Sequence, residues 1–252
     1  MIPWFQLTSI PLGPITIQAW GTFVALGLLF GTWVAARRAK SQSLDPKHIW
    51  DAAFWAFLSA FIGARIFHVL FYDPGHYLQF PLDALNPALP GFSMIGGLIG
   101  ATLACVIYIR RKKIDFFKFA DAGSFGLPFG EAIGRLGCFI IHDHPGVSCV
   151  YNPLCVIYPD GIARHDHGLY MAMMGTAIAV TFLVLGRKPR QPAFFLALYI
   201  IMFSIIRFFL DFYRLIDARY SYLTPTQWVL IPLFCVGVWL MILNKAKKIK
   251  VD

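Results

Sequence analysis

The chain has 252 residues, of which 58% are hydrophobic and only 14% charged. A soluble domain carries about 25% charged residues, so an ordinary globular enzyme is excluded. The net charge of +9 would suit a nucleic-acid binder, but the basic residues collect in short segments between apolar runs of membrane-spanning length, where they set topology instead. These features predict an all-α, polytopic integral membrane protein, a single membrane-embedded domain over 1–252, with no nucleic-acid partner.

The opening segment, MIPWFQLTSIPLGP, contains neither Lys nor Arg. It lacks the basic n-region of a signal peptide, so no cleavage is expected. The first span is predicted over Ile17–Ala36 and is closed by Arg37, Arg38 and Lys40. Basic residues gather on the cytoplasmic side, which puts this end inside and the N-terminus outside. The second span, Ile49–Phe71, contains Arg65 and His68. The segment that follows carries Pro74, Pro81, Pro87 and Pro90, which argue against continuous helix. The third span, Phe92–Ile109, opens with SMIGGLIG. Its Gly96, Gly97 and Gly100 point to close helix packing or to backbone amides left free at a helix start. It ends at Arg110, Arg111, Lys112 and Lys113, the strongest inside signal in the chain.

The fourth span, Phe117–Ile141, holds a candidate kink at Pro128 and leads into an outer loop at about 142–167. The fifth, Leu169–Leu185, ends at Arg187, Lys188 and Arg190. The sixth, Ala193–Tyr213, carries Arg207, Asp211 and Arg214. The seventh, Thr224–Leu243, ends at Lys245, Lys247, Lys248 and Lys250. Every predicted inner segment is basic. About seven spans follow, with the N-terminus outside and the C-terminus cytoplasmic.

The stretch Gly126–Gly146, GLPFGEAIGRLGCFIIHDHPG, concentrates the unusual chemistry. Glu131 and Arg135 stand one helical turn apart in an apolar span, where each charge costs roughly 2.5–3.5 kcal/mol or more. Gly126, Gly130 and Gly134 share one helix face, smooth enough for a second helix or a lipid to approach. The charges are either an i,i+4 ion pair on a packing face, or a buried cation awaiting an anion with Glu131 holding it in place. Helix rise puts Arg65 and Arg135 roughly 10 Å below the outer surface and Arg207 roughly 9 Å, with Trp20 similarly placed on the first span. Three arginines at one depth repel one another unless something negative lies among them. Glu131 and Asp211 supply part of that charge, Asp211 being one turn from both Arg207 and Arg214. A lipid phosphate would supply the rest, because the guanidinium fork stays charged and binds phosphate bidentately.

The outer loop contains His142, Asp143, His144, Cys149, Cys155, His165, Asp166 and His167. Its spacing matches no common zinc pattern, and no metal is expected. Cys149 and Cys155 are either a disulfide in an oxidising compartment or free thiols. His142, Asp143 and His144 lie at the helix mouth above Arg135 and are the expected proton carriers, since histidine titrates near neutral pH without tuning.

Several stretches resemble the bacterial prolipoprotein diacylglyceryl transferase family over nearly the whole chain. GEAIGRLGCFI is similar to that family's Gly-Arg-Leu/Ile-Gly-Asn/Cys-Phe signature, and GARIFHVLFY, SMIGGLIG, RHDHGLY and IIRFFLDFYR each resemble a further family motif. The resemblance implies a lipid transferase of the bacterial inner (cytoplasmic) membrane. It would move the diacylglyceryl group of phosphatidylglycerol to the lipobox cysteine of preprolipoproteins, recognised through their signal peptides among the membrane lipids, and would need no cofactor.

On this resemblance Arg135 matches the family's phosphatidylglycerol-binding arginine and Arg207 its second essential arginine, while Asp143 and Asp211 stand where relatives carry glutamate. The expected catalytic set is Arg135, Arg207, His142 and His144. The expected substrate-binding set is Arg135, Arg65, Glu131, Asp143, Asp211, Arg214, Trp20, Gly96 and Gly97. Two departures stand out: Ile95 replaces a motif histidine and Trp20 a tyrosine. They leave room for a diverged paralogue with another acceptor, or for a non-catalytic binder of phospholipid or lipoprotein.

Overall fold

A computed structural model describes residues 1–249 apart from positions 14, 87, 88, 90, 151 and 216–218. Seven helices are long and apolar enough to cross a membrane. They are α1 (Ala19–Ser41), α2 (Pro46–Phe71), α4 (Met94–Lys112), α5 (Phe116–Ile141), α6 (His167–Leu185), α7 (Phe194–Leu210) and α8 (Pro225–Ile249). Each corresponds to one predicted span, and the chain is a multi-pass membrane protein. The proline-rich segment after α2 forms a short α3 (Pro74–Gln79) and a 3-10 turn, Pro81–Leu85. Pro87, Pro90 and Lys250 lie outside the described residues, as do the side chains of Lys245, Lys247 and Lys248.

Small sheets join the helices at one end. β1 (Ser9–Leu12) pairs antiparallel with β2 (Ile15–Gln18), which runs directly into α1. The loop between α5 and α6 forms a three-stranded antiparallel sheet of β3 (Pro145–Ser148), β4 (Val156–Ile157) and β5 (Ala163–Asp166), in the order β3-β5-β4. The helices start where the sequence supplies caps. Asp45, Ser93, Asp115 and Asp166 accept hydrogen bonds from the first-turn amides of α2, α4, α5 and α6, each satisfying a donor that the helix leaves open.

In lipid the hydrophobic effect does not drive helix association, so close backbone approach does. Gly27 and Gly31 of α1 meet Gly130 and Gly126 of α5: a Cβ on Gly27 would lie 2.5 Å from the Gly130 carbonyl oxygen. Gly63 of α2 meets Gly96 of α4 in the same way, at 2.5 Å from its carbonyl oxygen. The α5 glycine face is therefore closed by a helix along Gly126 and Gly130. Gly134 has no neighbour within 4 Å of its Cβ position and borders a groove. α5 also packs on α6, where Phe125 joins Met171, Ile178, Phe182 and Phe195 in the core. Large side chains such as Phe54, Phe57, Leu70 and Trp239 face outward, as a lipid-facing surface requires.

Candidate active site

Arg207, near the end of α7, is buried and lies 3.0 Å from the carboxylate of Asp211. Asp211 has no exposure, accepts a close hydrogen bond from the Thr224 hydroxyl, and also pairs with Arg214 at 3.8 Å. One carboxylate therefore serves two arginines. Arg214 is fixed in turn by a β-bridge to Gly146 of the outer loop. Arg135, on α5, lies close enough to act electrostatically on Arg207, as do Arg214 and Glu131. Of the three arginines expected to converge from their depth, Arg135 and Arg207 come together, with Arg214, Glu131 and Asp211 around them.

The details differ from expectation at several residues. Glu131 forms no ion pair with Arg135 among the described residues; its carboxylate accepts from the Tyr199 hydroxyl at 3.2 Å. The guanidinium of Arg135 instead lies against the thiol of Cys138, with Trp20 of α1 on the same sulfur. Arg65 does not join the cluster. Its guanidinium donates to the carbonyls of Asp83 (2.6 Å), Ala84 (3.0 Å), Asn86 (3.1 Å) and Gly91 (3.0 Å). Equal depth did not mean convergence, because α2 packs chiefly on α4 and turns Arg65 toward its own loop. Gly96 and Gly97 serve packing and capping: the Gly96 amide donates to the Ser93 hydroxyl and the Gly97 amide to the Ser93 carbonyl. Ile95 lies on the same helix and is half-exposed.

Three of the loop histidines, His142, His144 and His165, have different surroundings. His142 is inside the protein: its side chain has no exposure, its Nδ1 lies 2.6 Å from Asp166, and Trp4, Phe5, Phe139 and Tyr158 surround its ring. His142 is the C-cap of α5 and so stands at the helix mouth as expected, with its ring turned into the protein. Asp166 also accepts from the Tyr158 hydroxyl at 3.1 Å; burial and the adjacent Asp166 charge raise the Tyr158 pKa above its ordinary value. His144 remains open, at 35% side-chain exposure, with its Nδ1 closely hydrogen-bonded to Asp143. His165 sits between Tyr170 (2.6 Å to the hydroxyl) and the Tyr213 ring, and burial holds it below the usual histidine range.

His167 is named among the outer-loop residues in the sequence but given no role there. It is the first residue of α6, it is buried, and its Nε2 accepts a close hydrogen bond from Arg207. That bond requires the neutral ring with its proton on Nδ1. The Nδ1 is buried and has no hydrogen-bond partner among the described residues. The motif RHDHGLY contains the residue, but only the crossing of α6 and α7 shows which side chain it meets.

Cys149 and Cys155 form a disulfide. The N-terminal segment straps across this loop through Ile2, which pairs with Cys155 and Ile157. Cys138, Asp143 and His144 each bring one ligand atom within 4.8 Å of the others. They could hold a metal, but the Arg135 guanidinium on the same sulfur opposes a cation there.

Bordering Glu131 and Gly134 is a largely apolar groove of about 600 Å³, lined by Val24, Leu28, Leu127 and Tyr199 among others. An anion held by the arginines could therefore carry an apolar chain along α1 and α5.

The chain matches the profile of the prolipoprotein diacylglyceryl transferase family over residues 7–243. It is 30% identical over 254 residues to a phosphatidylglycerol–prolipoprotein diacylglyceryl transferase of Nitratidesulfovibrio vulgaris, covering 96% of this chain and 95% of that one. It is 31% identical over 253 residues to the enzyme of the same name from Rhizobium leguminosarum, with 92% and 89% covered. A Pseudomonas aeruginosa relative of that name is also 31% identical, with 95% and 94% covered. With a profile match across almost the entire chain and relatives matched over most of their own length, this protein belongs to the prolipoprotein diacylglyceryl transferase family.

Proposed function

We propose that this protein transfers the diacylglyceryl group of phosphatidylglycerol to the lipobox cysteine of a preprolipoprotein and releases glycerol phosphate. It would act at the outer face of the bacterial inner membrane, with the N-terminus outside and the C-terminus cytoplasmic. The signal peptide of the acceptor would lie in the bilayer beside it. The family and the names of the relatives support the reaction.

The observation that carries the site assignment is the position of Arg135. It lies within electrostatic reach of Arg207, and no carboxylate among the described residues forms an ion pair with it, while Glu131 acts on it through charge and Asp143 lies beside the same Cys138 sulfur. A phosphodiester supplies the anion for these guanidinium groups. Arg135 binds its oxygens, Arg207 and Arg214 stabilise the charge that builds on the leaving glycerol phosphate, and His167 Nδ1–H donates a further hydrogen bond to it. Trp20 packs beside the glyceryl portion, and the groove along α1 and α5 takes an acyl chain.

His144, oriented by Asp143, accepts the proton of the acceptor thiol, because the thiolate is the nucleophile. The sulfur then forms its bond to the glyceryl carbon as the carbon–oxygen bond to phosphate breaks. His142 acts through the loop, as a positioning residue. Arg65, Gly96 and Gly97 hold the α2–α4 hairpin together and have no direct part in binding.

The test is mass spectrometry of a lipobox peptide incubated with purified protein and phosphatidylglycerol. The expected result is a diacylglyceryl adduct on the cysteine, absent with a folded Arg135→Ala variant. Unchanged turnover in that variant would remove the assignment. A folded wild-type protein that binds lipid but forms no adduct would point to another acceptor or to a non-catalytic binder, the reading that Ile95 and Trp20 motivate.

A further inference from the structure

At the basic end of the bundle, away from the arginine site, four helix termini converge: the ends of α1 and α6 and the starts of α5 and α7. Between them lies a cavity of about 370 Å³ lined by Arg38, Ser41, Gln42, Lys118, Arg190 and Pro192 among others. That volume falls within the roughly 300–1,000 Å³ of small-molecule sites. We propose that this cavity binds a phosphate group, as the headgroup of an anionic lipid in the adjacent leaflet or as free phosphate.

Two of the three cations here, Arg38 and Arg190, are held in place before any ligand arrives. The Arg38 guanidinium lies over the rings of Phe195 (4.6 Å) and Phe125 (5.0 Å), and that of Arg190 over Phe194 (4.8 Å). Arg190 Nε also donates to the Leu185 carbonyl at 3.3 Å. Such contacts remove the rotamer freedom that a solvated surface arginine would lose on binding.

The facing acids are already engaged. Asp121 is fully buried and accepts from the amides of Phe195 (2.6 Å) and Leu196 (3.3 Å) and from Gln42 at 2.7 Å. Asp115 caps α5 through the Lys118 amide at 3.1 Å. Among the described residues, Arg38, Lys118 and Arg190 have no ion pair. Asp121 acts on Arg38 through its charge without pairing with it, and the cations that remain favour an anion in the cavity. The guanidinium forks and the ammonium match phosphate geometry. A basic pocket between helices at the headgroup level is the setting in which lipid headgroups bind.

The test uses the purified full-length protein in neutral detergent, compared with a Lys118→Gln/Arg190→Gln variant. Native mass spectrometry counts bound dioleoylphosphatidylglycerol, and thermal unfolding follows added inorganic phosphate. Lipid held in the arginine site is common to both proteins, so the difference isolates the basic end. If the ligand is a lipid, the variant loses one bound lipid and binds it about tenfold or more weakly, from the loss of two charge-assisted contacts, while diacylglyceryl transfer persists. If the ligand is free phosphate, inorganic phosphate raises the unfolding temperature of the wild type alone and the lipid counts agree. Equal lipid counts together with equal phosphate responses would overturn the proposal. Should the double variant unfold, Lys118→Gln alone is compared in the same two assays.

Discussion

His142 and His144 are separated by one residue, yet their side chains have 0% and 35% exposure. His142 adopts a left-handed backbone conformation at the end of α5, with φ 51°, and its ring turns inward toward Asp166, among Trp4, Phe5 and Tyr158. Replacing His142 with Ala should therefore cost stability, about 2–4 kcal/mol for a lost buried hydrogen bond and ring packing. Replacing His144 with Ala should leave the unfolding temperature in place and lower turnover by roughly 10²–10⁴-fold, the usual worth of a general base. Calorimetry and the transfer assay, run on both variants, check the pair. A stable His142→Ala protein with no activity beside an active His144→Ala protein would reverse the two roles. The histidines and aspartates of the loop were legible as chemistry-bearing residues in the sequence. Their division into a buried anchor and an open dyad was not, because it depends on Trp4, Phe5 and Tyr158, which lie far apart in the chain.

Among elements, the α1–α5 pair carries the site, since it positions both Trp20 and Arg135. Its glycines are not equivalent. A side chain on Gly27 would meet the Gly130 carbonyl at 2.5 Å, whereas one on Gly134 would have nothing within 4 Å. Gly27→Val should force the helices apart at a cost of about 1–3 kcal/mol, and Gly134→Ala should stay within about 0.5 kcal/mol of wild type. Unfolding in detergent under identical lipid conditions measures both. An unaffected Gly27→Val protein would show that the pair tolerates wider spacing. The four-residue glycine spacing announced a smooth face in the sequence, but not which helix covers it or that Gly134 stays open.

Across the whole molecule, the outer loop ties distant segments to the arginine cluster. The N-terminal strap pairs with β4 through Ile2, and Gly146 bridges Arg214. The Cys149–Cys155 disulfide, spanning a sequence separation of 6, holds the turn between β3 and β4. Closing so short a loop contributes about 2 kcal/mol in the chain-entropy account. Reduction, or paired Cys149→Ser and Cys155→Ser changes, should lower the unfolding temperature and raise amide exchange in Pro145–Asp166. Transfer should fall, because Arg214 loses a fixed neighbour. Exchange that is unchanged on reduction would show that the sheet and the strap hold the loop without the disulfide.

The sequence by itself determined the seven membrane helices, because apolar length and basic flanks are local properties that a bilayer reads directly. It also placed arginines and carboxylates inside the spans, where charges at that depth require partners. Only the tertiary structure decided which charges meet. Arg65 shares the expected depth of Arg135 and Arg207 but belongs to a different helix pair and spends its donors on its own loop. His167 and Tyr199 reach the cluster through helix crossings that no spacing encodes. Depth along a helix follows from counting residues, whereas direction around the bundle depends on how glycine faces and aromatic side chains pack between helices.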